Sequence, residues 1–276
     1  MGVIFGDVSM EFRHRAIKAA QAVAKTALAT TFAVFTAQAA RADDAEALLK
    51  AMTDYVAGQK SISASFDSDV EIVTPELEKI QFSSSGKLQL SRPDKLRVTR
   101  TGGYTDVQLV YDGKMVSIYG NNAKAYVQAD LPGTVDQLVD LMQARSGAAV
   151  PGMDLLLTHA FDELMSNVIQ ARHIGQGVVD GVECEHLAFR SDDTDWQVWI
   201  QSGATPAPRK YVITSKAVAG APQYTLRIRD WKTDVVADAD AFTFKPPAGV
   251  TKVDLDSGAM AEFDELPPGT PSGAKK

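Results

Sequence analysis

Two hydrophobic periodicities alternate along the chain and divide it into helical and extended segments. Apolar residues between positions 45 and 56 recur with a helical period behind Asp43 and Asp44, whose carboxylates suit a helix N-cap, and Gly58 ends this segment. From Ile62 onward apolar and polar residues alternate, which is typical of strands with one buried face. The pattern therefore predicts an N-terminal helix followed by long antiparallel strands.

Further alternating segments follow at close spacing. Turn pairs such as Gly102-Gly103 and Asp112-Gly113 separate them, and these connections are too short for parallel crossovers. The prediction is one antiparallel sheet of about ten strands. The strands are predicted over residues 62–72, 80–90, 96–100, 107–111, 115–119, 125–128, 182–190, 194–201, 209–216 and 223–231.

A helical pair interrupts this sheet. The first predicted helix carries an apolar stripe from Val135 to Met142, Pro151 begins the second, and a Ser146-Gly147 turn joins them. The apolar face of the second helix consists of Met153, Leu156, Leu157, Ala160, Phe161 and Leu164. A large twisted sheet tends to curl, and the helices are the natural cover for its apolar inner face. An incomplete fit would leave an apolar cavity, whereas a complete fit would give a filled core.

Alternation assigns a set of large side chains to the inner face. Arg92 continues the series of Leu88 and Leu90 and so falls on the same face, although a solvent-side position before Pro93 is the alternative. An inward guanidinium needs acceptors, and carbonyls of a covering helix are within reach, so Arg92 is predicted to tether the lid. The candidates for lining the cavity are Phe66, Phe82, Leu88, Leu90, Trp196, Val198, Ile200, Tyr211, Ile213 and Leu226.

Composition narrows the range of functions. The 276 residues include 28 Lys and Arg against 35 Asp and Glu, and a net charge of −7 disfavours nucleic acid as a partner. Sequence signatures of the common hydrolases, zinc proteases and nucleotide-binding proteins are absent, so no catalytic residue and no cofactor are predicted.

One cluster of residues has metal-ligating chemistry. Cys184 and His186 share one face of a predicted strand, and His173 on a neighbouring strand could complete a metal site. The favoured interpretation is a buried Cys beside a hydrogen-bonded His, since no fourth ligand is evident. No metal is therefore predicted, and a thiol nucleophile activated by His186 is a weaker alternative.

The two ends of the chain differ from the middle. Residues 1–42 are predicted to be a signal peptide, with a basic region before an apolar run and cleavage near Ala42, or alternatively after Ala37-Gln38-Ala39. A retained helix and a start at Met10 are the alternatives. No Cys lies near the signal peptide for acylation, so the mature protein is predicted to be soluble. Residues 43–255 are the predicted folded domain, and 256–276 a disordered acidic tail rich in Pro and Gly.

Two sets of motifs resemble known families. Residues 85–98, which contain Arg92-Pro93, and the hairpin at 111–119 resemble the signature of the periplasmic outer-membrane lipoprotein carrier (LolA-like) superfamily. Residues 180–190, 195–200, 208–210 and 222–225 resemble a bacterial family of predicted periplasmic proteins of unknown function within that superfamily. The resemblance covers about residues 45–253.

The resemblance implies a mainly β (α+β) fold, a curved and incomplete antiparallel barrel covered by helices, with a cavity for acyl chains. It also implies that Arg92 bonds to lid backbone and holds the empty form closed. The lid departs from the carriers, because two helices and a Gly-Ala-Ala-Val-Pro-Gly link replace a Leu-rich segment. A free lipid or another amphiphile therefore fits as well as an acylated protein.

Two hypotheses follow from these features. The first is a non-catalytic periplasmic carrier whose cargo is a lipid or an acylated protein, with envelope membrane proteins as donor or acceptor. The second is an envelope interaction or scaffolding module with a filled core. The volume of the cavity distinguishes the two.

Overall fold

The structure, a computed structural model, describes residues 44–146 and 151–254. The predicted signal peptide with its cleavage sites, and the predicted tail, lie outside these residues. The helices are α1 (44–58), α2 (Val135–Ser146), a 3₁₀ turn (Asp154–Leu156) and α3 (Ala160–Met165). The strands are β1 (Ser61–Val73), β2 (Lys79–Ser91), β3 (Lys95–Gly102), β4 (Asp106–Tyr111), β5 (Met115–Gly120), β6 (Ala125–Asp130), β7 (Gln170–Val179), β8 (Val182–Arg190), β9 (Thr194–Gln201), β10 (Pro208–Ser215), β11 (Gln223–Thr233) and β12 (Thr251–Lys252).

The strands form one open, curved, twelve-stranded sheet in the order β12-β6-β5-β4-β3-β2-β1-β11-β10-β9-β8-β7. Neighbouring strands are antiparallel except for the short parallel pair of β12 and β6. The fold class predicted from the sequence is confirmed. The sequence pattern missed β12, which is only two residues long, and did not define the limits of β7, whose alternation is weakened by Gly175 and Gly177.

Alternation in the sequence matches the two faces of the sheet. On β1, Ile62 and Ala64 point inward and are buried, while Asp67 points outward. The outward carboxylate of Asp67 accepts a hydrogen bond from Ser85 Oγ on β2 at 2.6 Å and pairs with Arg229 on β11. Polar contacts therefore link neighbouring strands on the outside, and the apolar side chains gather inside.

The helical segment differs in part from the prediction. The stripe on α2 is buried as expected, with Val135 and Val139 fully inaccessible. The second predicted helix, however, is a 3₁₀ turn and a separate α3, because Leu157 is extended (φ −63°, ψ 145°). The carboxylate of Asp154 accepts hydrogen bonds from the backbone N–H groups of Gly152 (2.9 Å) and Leu155 (3.0 Å). These bonds compete with a regular helix at this point.

The core on β8, β9 and β10 is filled by aromatic rings. Phe189 stacks on Trp196 with ring centroids 3.9 Å apart, and Trp196 meets Tyr211 edge-on at 5.9 Å. Val198 and Leu187 beside them are fully buried. Among the described residues, no helix is long and apolar enough to cross a membrane.

Candidate functional site

A cavity of about 430 Å³ lies between the inner face of the sheet and the segment that covers it. This volume falls within the ~300–1,000 Å³ of small-molecule sites. We call residues 151–165, which contain the 3₁₀ turn and α3, the lid. Among the described residues that line the cavity, Arg100 is the only charged one. The lining residues are Ala64, Phe66, Leu88, Val98, Arg100, Val107, Leu109, Ile118, Met142, Pro151, Gly152, Met153, Leu155, Leu156, Pro208, Tyr224, Leu226, Ile228 and Trp231.

The lid backbone lies directly on the sheet at Gly152. Its φ of +89° suits glycine, and a Cβ at this position would lie 2.7 Å from Leu226 Cδ2. Beyond this point of contact the lid side chains Leu155 and Leu156 form the roof of the cavity. The glycine therefore allows the lid to approach the sheet at one end while leaving a space beside it.

Three of the ten predicted lining residues, Phe66, Leu88 and Leu226, do line this cavity. Phe82 lines a separate pocket of about 170 Å³ with Tyr104. The structure places the other six in or against the packed core rather than in the cavity wall. These six are Leu90, Trp196, Val198, Ile200, Tyr211 and Ile213.

The cavity also has lining residues on β3, β4 and β5 that were not predicted from the sequence. Val98, Leu109 and Ile118 occupy inward positions of strands that were predicted correctly, so their alternation was the signal that could have found them. Arg100 follows Val98 by two residues and was overlooked because a charged side chain is seldom assigned to an apolar face.

Arg92 lies in contact with the lid. Its Nη2 donates a hydrogen bond to the backbone carbonyl of Leu156 at 2.6 Å, and only 11% of its side chain is exposed. Burial lowers the pKa of Arg92, an effect opposed by the carboxylate of Asp136, whose Oδ1 lies 4.0 Å from Nη1. The next residue, Pro93, accepts a hydrogen bond from the N–H of Val135 at 2.9 Å. The Arg-Pro pair thus contacts both the lid and the first turn of α2.

Asp136 adds a second attachment between α2 and the lid. Its carboxylate accepts hydrogen bonds from the N–H of Thr158 at 3.3 Å and from the hydroxyl of the same residue. His159 Nδ1 lies 3.8 Å from Asp136 Oδ2. The carboxylate therefore lies between Arg92, in the turn from β2 to β3, and Thr158 on the lid.

Asp154 provides a third attachment, in the interior. Tyr211 on β10 donates a hydrogen bond from its hydroxyl to Asp154 Oδ2 at 3.1 Å, while Oδ1 accepts the N–H groups of Gly152 and Leu155. Burial raises the pKa of Asp154 to about 6, although these hydrogen bonds oppose the shift. An acid inside the apolar run from Met153 to Leu157 was the sequence signal for this contact.

One end of the cavity is polar. Arg100 Nη2 donates a hydrogen bond to the Tyr224 hydroxyl at 3.4 Å, and its guanidinium lies 5.9 Å from the centre of the Phe66 ring. The hydroxyl of Ser68, on the neighbouring β1, lies 2.8 Å from that of Ser84. Burial raises the pKa of Tyr224, and the charge of Arg100 and the side chain of Ser68 oppose this.

Cys184, His186 and His173 do not converge. Cys184 is fully buried with its thiol 3.4 Å from the carbonyl of Val182, and burial raises the pKa of that thiol. His186 stacks on Trp199 at 4.0 Å and bonds to Gln197, whereas His173 bonds to Glu185 at 2.8 Å. Within residues 44–146 and 151–254, no group of three or more His, Cys, Asp or Glu side chains could hold a metal ion.

A family model described as "Predicted periplasmic protein (DUF2092)" matches residues 45–256. The match confirms the family that the sequence motifs resemble and, through its description, the predicted periplasmic location. No curated protein matches the chain.

Several solved structures are similar to the chain at low identity. An uncharacterized conserved protein from Thermus thermophilus has 14% identity over 76% of this chain and 99% of its own, with a TM-score of 0.46. LprF from Mycobacterium bovis has 10% identity over 72% of this chain and 98% of its own, with a TM-score of 0.41. A LolA superfamily protein from Nitrosomonas europaea has 11% identity over 72% and 97%, with a TM-score of 0.31.

Proposed function

Because the chain belongs to the family of predicted periplasmic proteins that its sequence matches, we propose that it acts in the periplasm as a non-catalytic carrier or binding protein for an amphiphile. The cargo is a lipid or the acyl chain of a lipoprotein, and its apolar part occupies the cavity beneath the lid. Membrane proteins of the envelope are the proposed donor and acceptor.

The observation that supports this proposal is the apolar cavity itself. Its volume of about 430 Å³ is lined by side chains that are nearly all apolar, on the sheet and on the lid alike. An apolar void without an occupant lowers the stability of a protein, because the lining atoms lose dispersion contacts. A scaffolding module with a filled core has no need for such a void, so the cavity favours the carrier.

The attachments of the lid suit a cover that opens and closes. The side chains of Arg92, Asp136 and Asp154 hold it through a few polar contacts. Opening the lid breaks these hydrogen bonds, each worth ~0.5–3 kcal/mol, and exposes the buried Leu155, Leu156 and Leu157, while the β ladders of the sheet remain intact. The lid is therefore the proposed route by which cargo enters and leaves.

Native mass spectrometry of the protein purified from cells without detergent tests the proposal. We expect the wild type to carry bound lipid, and the variant Leu88→Trp, which places an indole in the cavity, to carry much less. The matched control is Gln89→Trp on the outer face of the same strand, which we expect to retain the lipid. Circular dichroism establishes that each variant is folded.

Two results would contradict the carrier. One is a wild-type protein that has only the mass of the polypeptide and that takes up no apolar fluorescent probe. The other is an equal amount of lipid on the wild type and on a folded Leu88→Trp variant, which would locate the lipid outside the cavity.

A further inference from the structure

We propose that the cavity continues into a second pocket at the turn between β3 and β4, and that this pocket binds a small, uncharged, hydroxyl-bearing head group such as glycerol. This inference rests on the proposed function, because the head group belongs to the amphiphile whose chain lies in the cavity. It adds the chemical class of the cargo and names Thr105 as the residue that recognises it.

The second pocket has a volume of about 170 Å³. We call it the turn pocket, because residues 102–105 form one of its walls, and Val70 on β1 with Phe82 and Ser84 on β2 form the other. Its volume is below the ~300 Å³ at which small-molecule sites begin, so it suits one part of a ligand rather than a whole one.

One row of residues separates the turn pocket from the cavity. On β1, Phe66 lines the cavity, Val70 lines the turn pocket, and Ser68 is the inward residue between them. Alternate residues of a strand are only ~7 Å apart. Ser68 lies opposite Ser84 on β2, with the two hydroxyls 2.8 Å apart. The sheet thus presents short hydroxyl side chains at this boundary, and one amphiphile can extend across them.

Thr105 carries the observation that points to a ligand. It lines the turn pocket and is only 1% exposed, yet its hydroxyl has no hydrogen-bond partner in the part of the chain that the structure describes. The turn is fixed, because the carbonyl of Thr105 accepts the N–H of Gly102 at 2.7 Å. A buried hydroxyl without a partner costs free energy, and a hydroxyl of a bound head group would recover it.

The wall of the turn pocket favours an uncharged head group. Its described lining residues carry hydroxyl, amide and aromatic groups, and none of them is charged. A charged head group would lose hydration there without a counter-charge in the wall, whereas a neutral hydroxyl exchanges hydrogen bonds with water for hydrogen bonds with the wall.

Polarity and access follow the same direction along the inner face. The cavity is lined by apolar side chains and covered by the lid. The turn pocket reaches the surface at Tyr104, which is 52% exposed and whose ring meets that of Phe82 edge-on at 5.6 Å. The change from apolar to polar lining matches an amphiphile with its chain in the cavity and its head group near solvent.

Competition with an apolar fluorescent probe tests this inference on the mature chain. The ligands are monopalmitoyl glycerol, methyl palmitate and palmitate, which share one acyl chain and differ in the head group. For the wild type we expect monopalmitoyl glycerol to bind about tenfold more tightly than methyl palmitate, which is the factor that pairing a buried hydroxyl provides. Palmitate is expected to bind more weakly than the glycerol ester, because the wall of the turn pocket has no charge to pair with it.

Thr105→Val assigns this preference to the hydroxyl, because valine keeps the shape and removes the oxygen. We expect the preference for the glycerol ester to fall to about twofold or less, with the affinity for methyl palmitate retained. The Tm of the ligand-free variant is expected to equal or exceed that of the wild type, since the removed hydroxyl has no partner among the described residues.

The matched control is Thr101→Val on β3. The hydroxyl of Thr101 donates to Asp106 Oδ1 at 3.5 Å, and the residue lines neither the cavity nor the turn pocket. We expect this control to keep the full preference for the glycerol ester.

The outcomes separate this inference from the proposed function. Three results would overturn the head-group site and leave the carrier standing: equal affinity of the wild type for the two esters, tighter binding of palmitate than of the glycerol ester, or a preference that persists in Thr105→Val. A lower Tm of ligand-free Thr105→Val would show that the hydroxyl is bonded within the chain and would also overturn the site. Failure of the wild type to bind any of the three ligands or the probe would overturn both proposals.

Discussion

The inner face of the sheet has a filled half and a hollow half, although both have the same alternation of apolar and polar residues. On β8, β9 and β10 the indole of Trp196 packs in the core between Phe189 and Tyr211. On β1 to β4 several inward residues are small, such as Ala64 and Val98, and the cavity lies above them. Alternation therefore determines which face is buried, whereas the sizes of neighbouring side chains determine whether that face is filled.

We expect the largest change in stability when one of two tryptophans is removed, one from each half of the inner face. Trp196 is only 5% exposed in the filled half, and Trp231 lines the cavity in the hollow half. We expect Trp196→Ala to lower the free energy of unfolding by about 3–5 kcal/mol, as for other large core deletions. Trp231→Ala is expected to cost less than half as much and to alter probe binding instead. Urea denaturation and probe titration measure the two effects.

The same two variants can also show that the two halves of the inner face do not differ. Equal losses of stability in Trp196→Ala and Trp231→Ala, with probe binding unchanged in the latter, would mean that the two halves are packed alike. The proposed cavity would then not be a separate region of the molecule.

The second expected effect concerns Asp154, which joins the two halves. It bonds to Tyr211 in the filled half, and the adjacent Leu155 and Leu156 cover the hollow one. Its pKa is about 6 in the folded protein against an ordinary 3.8, so the folded state binds more protons between these values. This group therefore makes the free energy of unfolding fall as pH rises from about 4 to about 6, by about 3 kcal/mol at most.

Asp154→Asn isolates this dependence, because asparagine keeps the carbonyl acceptor and does not titrate. We expect the stability of the wild type relative to that of the variant to fall over this pH interval and to become constant above it. Probe exchange in the wild type is expected to accelerate over the same interval, since an ionised Asp154 favours an open lid. Parallel pH profiles for the two proteins would show that Asp154 does not titrate in this way.

The third expected effect concerns the contact between Arg92 and the lid. Arg92→Leu keeps an apolar stem and removes the donor to the carbonyl of Leu156. Hydrogen bonds from charged donors contribute ~1.5–3 kcal/mol, so we expect probe to enter and leave about tenfold faster. Arg97→Leu is the matched control, because it also removes a bond to a backbone carbonyl but one that is not on the lid. Equal exchange rates in wild type and Arg92→Leu would mean that Arg92 has no tethering role.

The smallest expected effect is at Cys184, which lies outside both halves of the comparison. Cys184→Ser is expected to lower the free energy of unfolding by about 1–2 kcal/mol, because a hydroxyl replaces a fully buried thiol. Probe binding should be unchanged. A stoichiometric amount of zinc in the purified wild type, lost in the variant, would contradict the assignment of a purely structural thiol.

Local patterns predicted most of the sheet because each strand carries its own alternation. They could not predict the void, as Val98 and Val198 illustrate: both are inward valines, yet one lines the cavity and the other is fully buried. The difference arises from the rings of Phe189, Trp196 and Tyr211 around Val198, which the alternation within one strand does not reveal. Likewise Asp154 and Tyr211 are 57 positions apart, so the local sequence could single out the acid in its apolar run but not its partner.

The most direct test is to detect contacts between a bound acyl chain and methyl groups of the two halves by NMR, with palmitate as the ligand. We predict intermolecular nuclear Overhauser effects from the chain to methyl groups of Leu88, Val98 and Leu226, and none to those of Leu187, Val198 and Ile200. Bound palmitate that shows contacts only to the second set, or to neither set, would contradict the assignment of the cavity as the binding site.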